Sequence, residues 1–392
     1  MNKILLQCGF LMLFAPVLTG SIFFESRLAI LPSAYISVNT VAFLVALACA
    51  AVELPRYPKK FLFLLALMTV LISHAVLAAV VLGVDIMGII KFMNFALIGF
   101  TLAFLMHALD RRGCLDWAVK VFVAVLFVLF IGAVFVKLQT GFWFRQNPYF
   151  MHGSIVFGRL MAMGLLLNLF IPIVPGKLSW ALNACFAFGI VWSLSKGPIV
   201  AITACGLLYL LLNRSELFKL RNLVLFAMLL AAVSYYVSTY GLPAQFARVT
   251  VLFDILMGSE VTVNTSGSIG IRGNMYGATQ GMILESPFLG VGMGNWGANF
   301  YDGITPFTYP HNLFLELLSE MGLIAGGFFA VLLLLPLRYH KDPFFYLFLF
   351  LFLAQQSSGD VADGRFLFFA TCLILFRNLI LDRIDLRARA ST

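Results

Sequence analysis

The chain has 392 residues, 62% hydrophobic and 11% charged, with a formal net charge of +9 at pH 7. A soluble domain is about 45–50% apolar and about 25% charged. No packed sphere of this size hides so much apolar surface from water, so a soluble enzyme, a disordered chain, a disulfide scaffold and a fibrous repeat are all excluded.

What remains is an all-α polytopic membrane protein. Apolar runs predict spans at 4–24, 34–52, 61–83, 86–109, 115–136, 154–174, 178–194, 197–213, 222–240, 312–336, 343–357 and 365–381. At about 20 residues each, twelve spans use about 240 residues. No room is left for a large soluble domain, so residues 1–392 read as a single integral membrane domain. The N-terminal run opens like a signal sequence, but no small-residue cleavage site follows it, and it is read as the first span. Cys8, Cys49, Cys114, Cys185, Cys205 and Cys372 lie in or beside apolar runs with no CxxC pair, and read as small buried hydrophobes.

Lys and Arg crowd the loops on the N-terminal side of the membrane (Arg56, Lys59, Lys60, Arg111, Arg112 and the C-terminal Arg383, Arg387 and Arg389 among them) and are sparse on the other. This bias predicts two cytoplasmic termini. The basic residues form short clusters between apolar runs and no continuous stripe, so nucleic acid is not expected as a partner. The longest loop, 241–311, then lies outside. Its stretch 271–284 has helical spacing of Met275, Ala278, Met282 and Ile283, suited to the membrane surface.

Candidate chemistry gathers on that outer side. His311, in Tyr309-Pro310-His311-Asn312, stands where the long loop re-enters the bilayer. An imidazole titrates near neutrality and can take the proton of an attacking hydroxyl; the bland alternative is a His that solvates a helix end. Pro310 fixes the entry, and Asn312 either caps the helix or holds the imidazole. Arg272 offers a fork of donors for phosphate oxygens, or else snorkels to headgroups. Lys196, in Ser195-Lys196-Gly197, is a point charge in a tight outer turn, or a plain loop lysine. The turn Asp360-Val-Ala-Asp363-Gly-Arg365 either binds sugar or pairs its own charges, pairing being favoured. Arg159 lies inside a span, where such a charge faces the bundle interior and has a partner. Lys91 and His74 read the same way, and Glu316 and Glu320 lie one turn apart below His311. No spacing fits a metal site, Asp360 and Asp363 lacking further carboxylates. There is no Walker A loop, no GxGxxG after a strand and no nucleophile elbow, so neither metal nor cofactor is expected.

In order, the Ser195-Lys196-Gly197 turn, Arg272 with Met275-Tyr276 and Ser286-Pro-Phe-Leu-Gly290, the Pro310-His311-Asn312 helix start and the Asp360 to Arg365 turn resemble the O-antigen ligase and polymerase superfamily of bacterial membrane glycosyltransferases. The resemblance runs over about residues 140–381 and implies a GT-C-like helical fold of about twelve spans in the bacterial inner membrane, with the long loop and active site in the periplasm. It implies a glycan donor on undecaprenyl diphosphate, transferred with inversion and without nucleotide sugar or metal. Carried over by position, His311 is the base that activates the acceptor hydroxyl, and Arg272 and Lys196 hold the diphosphate. The family usually has Arg where Lys196 stands; Lys keeps the charge and loses the bidentate fork. Asp360, Arg365, Arg159 and Asn312 are read as substrate-binding or structural.

Ligases of this superfamily move the finished glycan onto lipid A–core, and polymerases join repeat units that both remain lipid-linked. The compact chain and the late Ser-Gly-Asp to Arg turn favour a ligase. A lipid-linked sugar transporter would be expected to show two related halves, whereas here the long outer loop and most outer polar motifs belong to the second half.

Overall fold

The computed structural model describes residues 3–19, 29–31, 36–84, 88–144, 148–150, 152–171, 176–212, 268–300, 309–358, 361 and 363–382. In chain order its helices are α1 (Lys3–Met12), α2 (Phe14–Thr19), α3 (Val38–Glu53), α4 (Pro58–Leu82), α5 (Ile89–Arg111), α6 (Leu115–Thr140), α7 (Ser154–Phe170), α8 (Gly176–Trp192), α9 (Lys196–Leu212), α10 (Ser268–Glu285), α11 (Trp296–Asn299), α12 (Leu313–Met321), α13 (Gly327–Leu334), α14 (Phe345–Ser358) and α15 (Arg365–Asn378). One short antiparallel ladder, Ala29–Leu31 with Ile36–Ser37, accompanies them. The described chain is thus essentially all helical.

Among the described residues, five helical stretches are long and apolar enough to cross a membrane: Val38–Arg56, Pro58–Leu82, Ile89–Arg111, Leu115–Thr140 and Leu313–Arg338. Lys3–Thr19, Ser154–Phe170, Lys196–Leu212 and Phe345–Gln356 are apolar and shorter. The span expected at 222–240 and residues 241–267 and 301–308 of the 241–311 loop lie outside the described residues. Two expected spans are interrupted. The first is split at Leu13 into α1 and α2, and 312–336 is broken by a π-helical turn, Gly322–Gly326, between α12 and α13.

The chain divides into two compact units, Met1–Val125 with Leu166–Ser179 and Arg272–Thr392, and Leu126–Leu165 with Trp180–Ile271. At the centre of the first lies α5, apolar all round and buried on every face from Ile98 to Leu109, as such a helix must be. It packs along α15: Gly99 brings the two backbones together, since a Cβ there would meet Arg365 O at 2.9 Å and the Phe368 ring at 2.8 Å. Across the seam the Phe95 and Phe368 rings meet tilted at 4.7 Å, and Phe100 and Phe376 edge to face at 5.5 Å. In contrast, α4 buries only one stripe, Leu67, Leu71, His74, Ala75 and Ala78, and exposes Phe61, Leu62, Leu65, Ile72, Val76 and Val80. An apolar face of that extent suits lipid and not water.

In the second unit, Trp192 anchors an aromatic cluster. Its Nε1 donates to Phe142 O (2.7 Å), its carbonyl accepts from the Tyr149 hydroxyl (2.8 Å), and Phe142 stacks on it at 4.7 Å. The buried Lys137 ammonium, in the last turn of α6, donates to Phe144 O and lies 3.9 Å from the Tyr149 ring centroid.

Candidate functional site

The site is built in the first unit by α10, the loop after it, and the entry to α12. Met275, Thr279 and Met282 form the buried stripe of α10; of the spacing read from the sequence, Met275 and Met282 are buried, while Ala278 and Ile283 are only partly so. Thr279 is fixed at both ends: its hydroxyl donates to Met275 O (2.6 Å) and accepts from Trp296 Nε1 (2.9 Å). Trp296, fully buried, therefore ties the loop to α10.

That loop lies backbone to backbone on α12 and the turn after it. Val291 N donates to Ser319 O and Leu323 N to Pro287 O, each at 2.7 Å. Gly290 (φ 68°) and Gly322 (φ 66°) permit the approach, because a Cβ would sit 2.4 Å from Ser319 O in one case and 2.2 Å from Phe288 O in the other. From α4, His74 Nε2 bonds Leu289 O at 2.9 Å.

His311 immediately precedes α12 and takes the left-handed conformation, φ 59°. A non-glycine residue held there costs about 1–3 kcal/mol and is characteristic of sites whose surroundings over-determine the backbone. Asn312 is the N-cap: its Oδ1 accepts from Leu315 N (3.1 Å) and its Nδ2 donates to Gln356 O (3.1 Å). Of the two roles open to Asn312 from sequence, the cap is the one its hydrogen bonds make. The Tyr309 ring meets His311 edge to face at 4.5 Å.

Arg272 and Tyr276 lie one turn apart on α10, both half-buried. Burial holds the Arg272 guanidinium below its ordinary range, while Tyr276 and Tyr309 pull it back up. Burial likewise pushes the Tyr276 hydroxyl up, with Arg272 opposing. Arg272 and Tyr276 thus present a guanidinium fork and a phenol one turn apart on α10. Tyr309 interacts electrostatically with Arg272 and touches His311, so it links the two residues singled out from sequence. This arrangement can meet developing negative charge with fixed donors and take up a proton beside them. Neither tyrosine was assigned a role from sequence; the four-residue spacing of Arg272 and Tyr276 was the available signal.

In the second unit, Lys196 opens α9 after a turn in which Leu194 is left-handed (φ 50°) and Ser195 N donates to Ser193 Oγ (3.3 Å). The turn abuts α7 at Gly158, where a Cβ would meet Ser193 Oγ at 2.7 Å and Pro198 Cγ at 3.2 Å. Arg159, the next residue, is buried at 5% exposure. Arg365, also buried, reaches back to the end of α2: Nε donates to Val17 O (2.6 Å), Nη2 to Leu18 O (3.1 Å), and Nη1 lies 3.5 Å from Asp363. Asp360 lies outside the described residues.

Residues 181–330 match a family model described as O-antigen ligase. This segment is similar to the O-antigen ligase family. It runs from within α8 to within α13 and contains Lys196, Arg272, His311 and Asn312, whereas Arg159, Asp360 and Arg365 fall outside it. No curated protein matches the chain. Together with the apolar helices, this similarity supports a multi-pass membrane protein related to the glycosyltransferases of the O-antigen ligase and polymerase kind.

Proposed function

We propose that the protein is an inverting, metal-independent O-antigen ligase of the bacterial inner membrane, which moves an undecaprenyl-diphosphate-linked glycan onto a sugar hydroxyl of lipid A–core. In this reading both termini are cytoplasmic and the site faces the periplasm. The observation that carries the proposal is the Arg272–Tyr309–His311 cluster at the entry to α12, inside the matched domain. The acceptor oxygen attacks the anomeric carbon, a new glycosidic C–O bond forms, and the bond to the diphosphate breaks on the opposite face. His311 takes the hydroxyl proton, because an unassisted sugar hydroxyl is a weak nucleophile. The electron pair leaves on undecaprenyl diphosphate, whose charge is met by Arg272 and by the Tyr276 hydroxyl.

The test is transfer by purified protein from undecaprenyl-diphosphate glycan, with and without lipid A–core, in EDTA. Glycan on lipid A–core, lost with His311→Ala, is the expected result. A ladder of longer lipid-linked glycans from donor alone makes the protein a repeat-unit polymerase with the same donor and chemistry. If folded protein that binds donor forms neither product, the transferase reading fails and lipid-linked sugar transport replaces it.

A further inference from the structure

The cluster just described sits above a buried ionic arrangement that its chemistry does not use. Glu316 and Glu320, one turn apart on α12, are both at 0% exposure. Lys91, on the first turn of α5, forms an ion pair with Glu316 and lies 3.7 Å from Glu320. Each carboxylate also accepts from the backbone of a separate segment: Glu316 Oε2 from Val361 N (2.9 Å), Glu320 Oε2 from Gly294 N (2.8 Å) and Glu320 Oε1 from Trp296 N (3.4 Å). Two carboxylates at this depth are costly unless paired and hydrogen-bonded, and apolar side chains would pack α12 with less desolvation. What apolar packing lacks is direction. Charge-assisted bonds to three named amides set the rotation and height of α12 against its neighbours.

We propose that Lys91, Glu316 and Glu320 are positioning residues that hold His311 in register with Arg272, an inference that rests on the glycosyl-transfer reading. Every link of the connection is in the geometry. Arg272 stands two turns before Thr279 on α10; Thr279 holds Trp296 through the indole; Trp296 and Gly294 are held by Glu320; and Glu320 lies on the helix that His311 enters. The loop has no slack to absorb a shift. A Cβ on Gly88 would lie 1.7 Å from Met293 O, and one on Gly294 would lie 2.8 Å from Gly88 Cα. Glu320→Gln keeps the shape but points an amide N–H at a backbone N–H, which pushes the Gly294–Trp296 turn away. Reacting groups displaced by about 1 Å lose about 100-fold in rate.

The experiment uses the full-length protein in detergent, with undecaprenyl-diphosphate glycan and lipid A–core as substrates. It compares wild type, Glu320→Gln, Lys91→Met, Lys91→Arg, the double variant Lys91→Met/Glu316→Gln, and His311→Ala. The expected result is a kcat about 10- to 100-fold lower in Glu320→Gln and Lys91→Met, at unchanged donor KM. Lys91→Arg recovers most of the rate because it keeps the charge. The double variant removes a charge of each sign together; it stays folded and remains slow, which covers the case in which a single variant unfolds. In parallel, the fluorescence of Trp296, taken as the difference from Trp296→Phe partners, shifts to the red in Glu320→Gln as the indole is released. Wild-type kcat in Glu320→Gln and Lys91→Met, or losses that vanish once rates are divided by the folded fraction, overturn the proposal. So does unchanged Trp296 emission. Transfer that survives His311→Ala, or a wild type that makes neither product, overturns the functional reading instead, and the Trp296 arm still decides whether the carboxylates hold the loop.

Discussion

At His311 the backbone and the side chain make separate demands, and substitutions can tell them apart. Its φ of 59° is a conformation that Asn tolerates and Ala does not. His311→Asn is therefore expected to unfold within a degree or two of wild type while losing about 10²- to 10⁴-fold in transfer rate, with thermal unfolding and the transfer assay as the paired measurements. His311→Ala combines the loss of base with backbone strain and unfolds at a lower temperature. Arg272 and Tyr276 invite a similar separation. Arg272→Lys keeps the charge but loses the fork, so its rate falls between wild type and Arg272→Ala. Burial pushes the Tyr276 hydroxyl up more than Arg272 pulls it down, so Tyr276→Phe removes a neutral donor and raises donor KM severalfold while its pH profile stays that of wild type. A pH profile altered by that substitution contradicts the assignment.

The elements divide by how local their causes are. Eleven of the expected spans coincide with described helices because a long apolar run is a local signal that packing does not reverse. The break between α12 and α13 was not legible. Gly322 is left-handed there and lies against Phe288 O, thirty-four residues earlier in the chain, an approach with no trace in the hydropathy of 312–336. The same is true of Arg365, whose two α2 carbonyl partners lie at Val17 and Leu18; the sequence offered only its neighbour Asp363. Of the site itself, Arg272, His311 and the Asn312 cap were legible from charge, place and capping chemistry, whereas Tyr309 as their link required the fold. The Gly322 geometry yields a prediction at this scale. Gly322→Ala combines a disfavoured φ with a clash against backbone that cannot move aside. It should destabilise the protein by about 1–3 kcal/mol or more, lowering the thermal midpoint and weakening the docking of Ser286–Gly290. Gly83→Ala is the control: its φ is 65° but a Cβ meets nothing within 4 Å, so it reports the backbone cost alone and loses less.

Across the first unit, loops that the charge pattern assigns to one side of the membrane are joined to one another. Glu53, at the end of α3, pairs with Arg56 (3.0 Å) and with Arg112 after α5 (2.7 Å). Arg377, near the end of α15, joins Asp110 of α5 and Asp342 before α14, the latter at 3.2 Å. Lys60 of α4 and Asp382, beyond α15, are 3.0 Å apart, with side chains at 0% and 1% exposure. Asp382 Oδ1 also accepts from Lys59 N (2.9 Å), and Lys60 Nζ donates to Ile380 O (3.2 Å). The other end of the unit carries Lys91 and its two glutamates, so ionic ties close both ends of an otherwise apolar bundle. The Lys60–Asp382 pair is the most deeply buried of these ties, which makes its two single losses unequal to its joint loss. Lys60→Met leaves a carboxylate in a site without a counter-charge, and breaking such a pair costs about 3–5 kcal/mol. Lys60→Met/Asp382→Asn removes both charges and keeps an oxygen for Lys59 N, so it should regain most of that loss. Thermal unfolding of the two single variants and the double closes a cycle whose coupling is large and favourable to the native pair. Additive losses would mean that the two groups do not sense each other, and that the end of α15 is held by its Phe376 and Tyr57 packing around Lys60 alone.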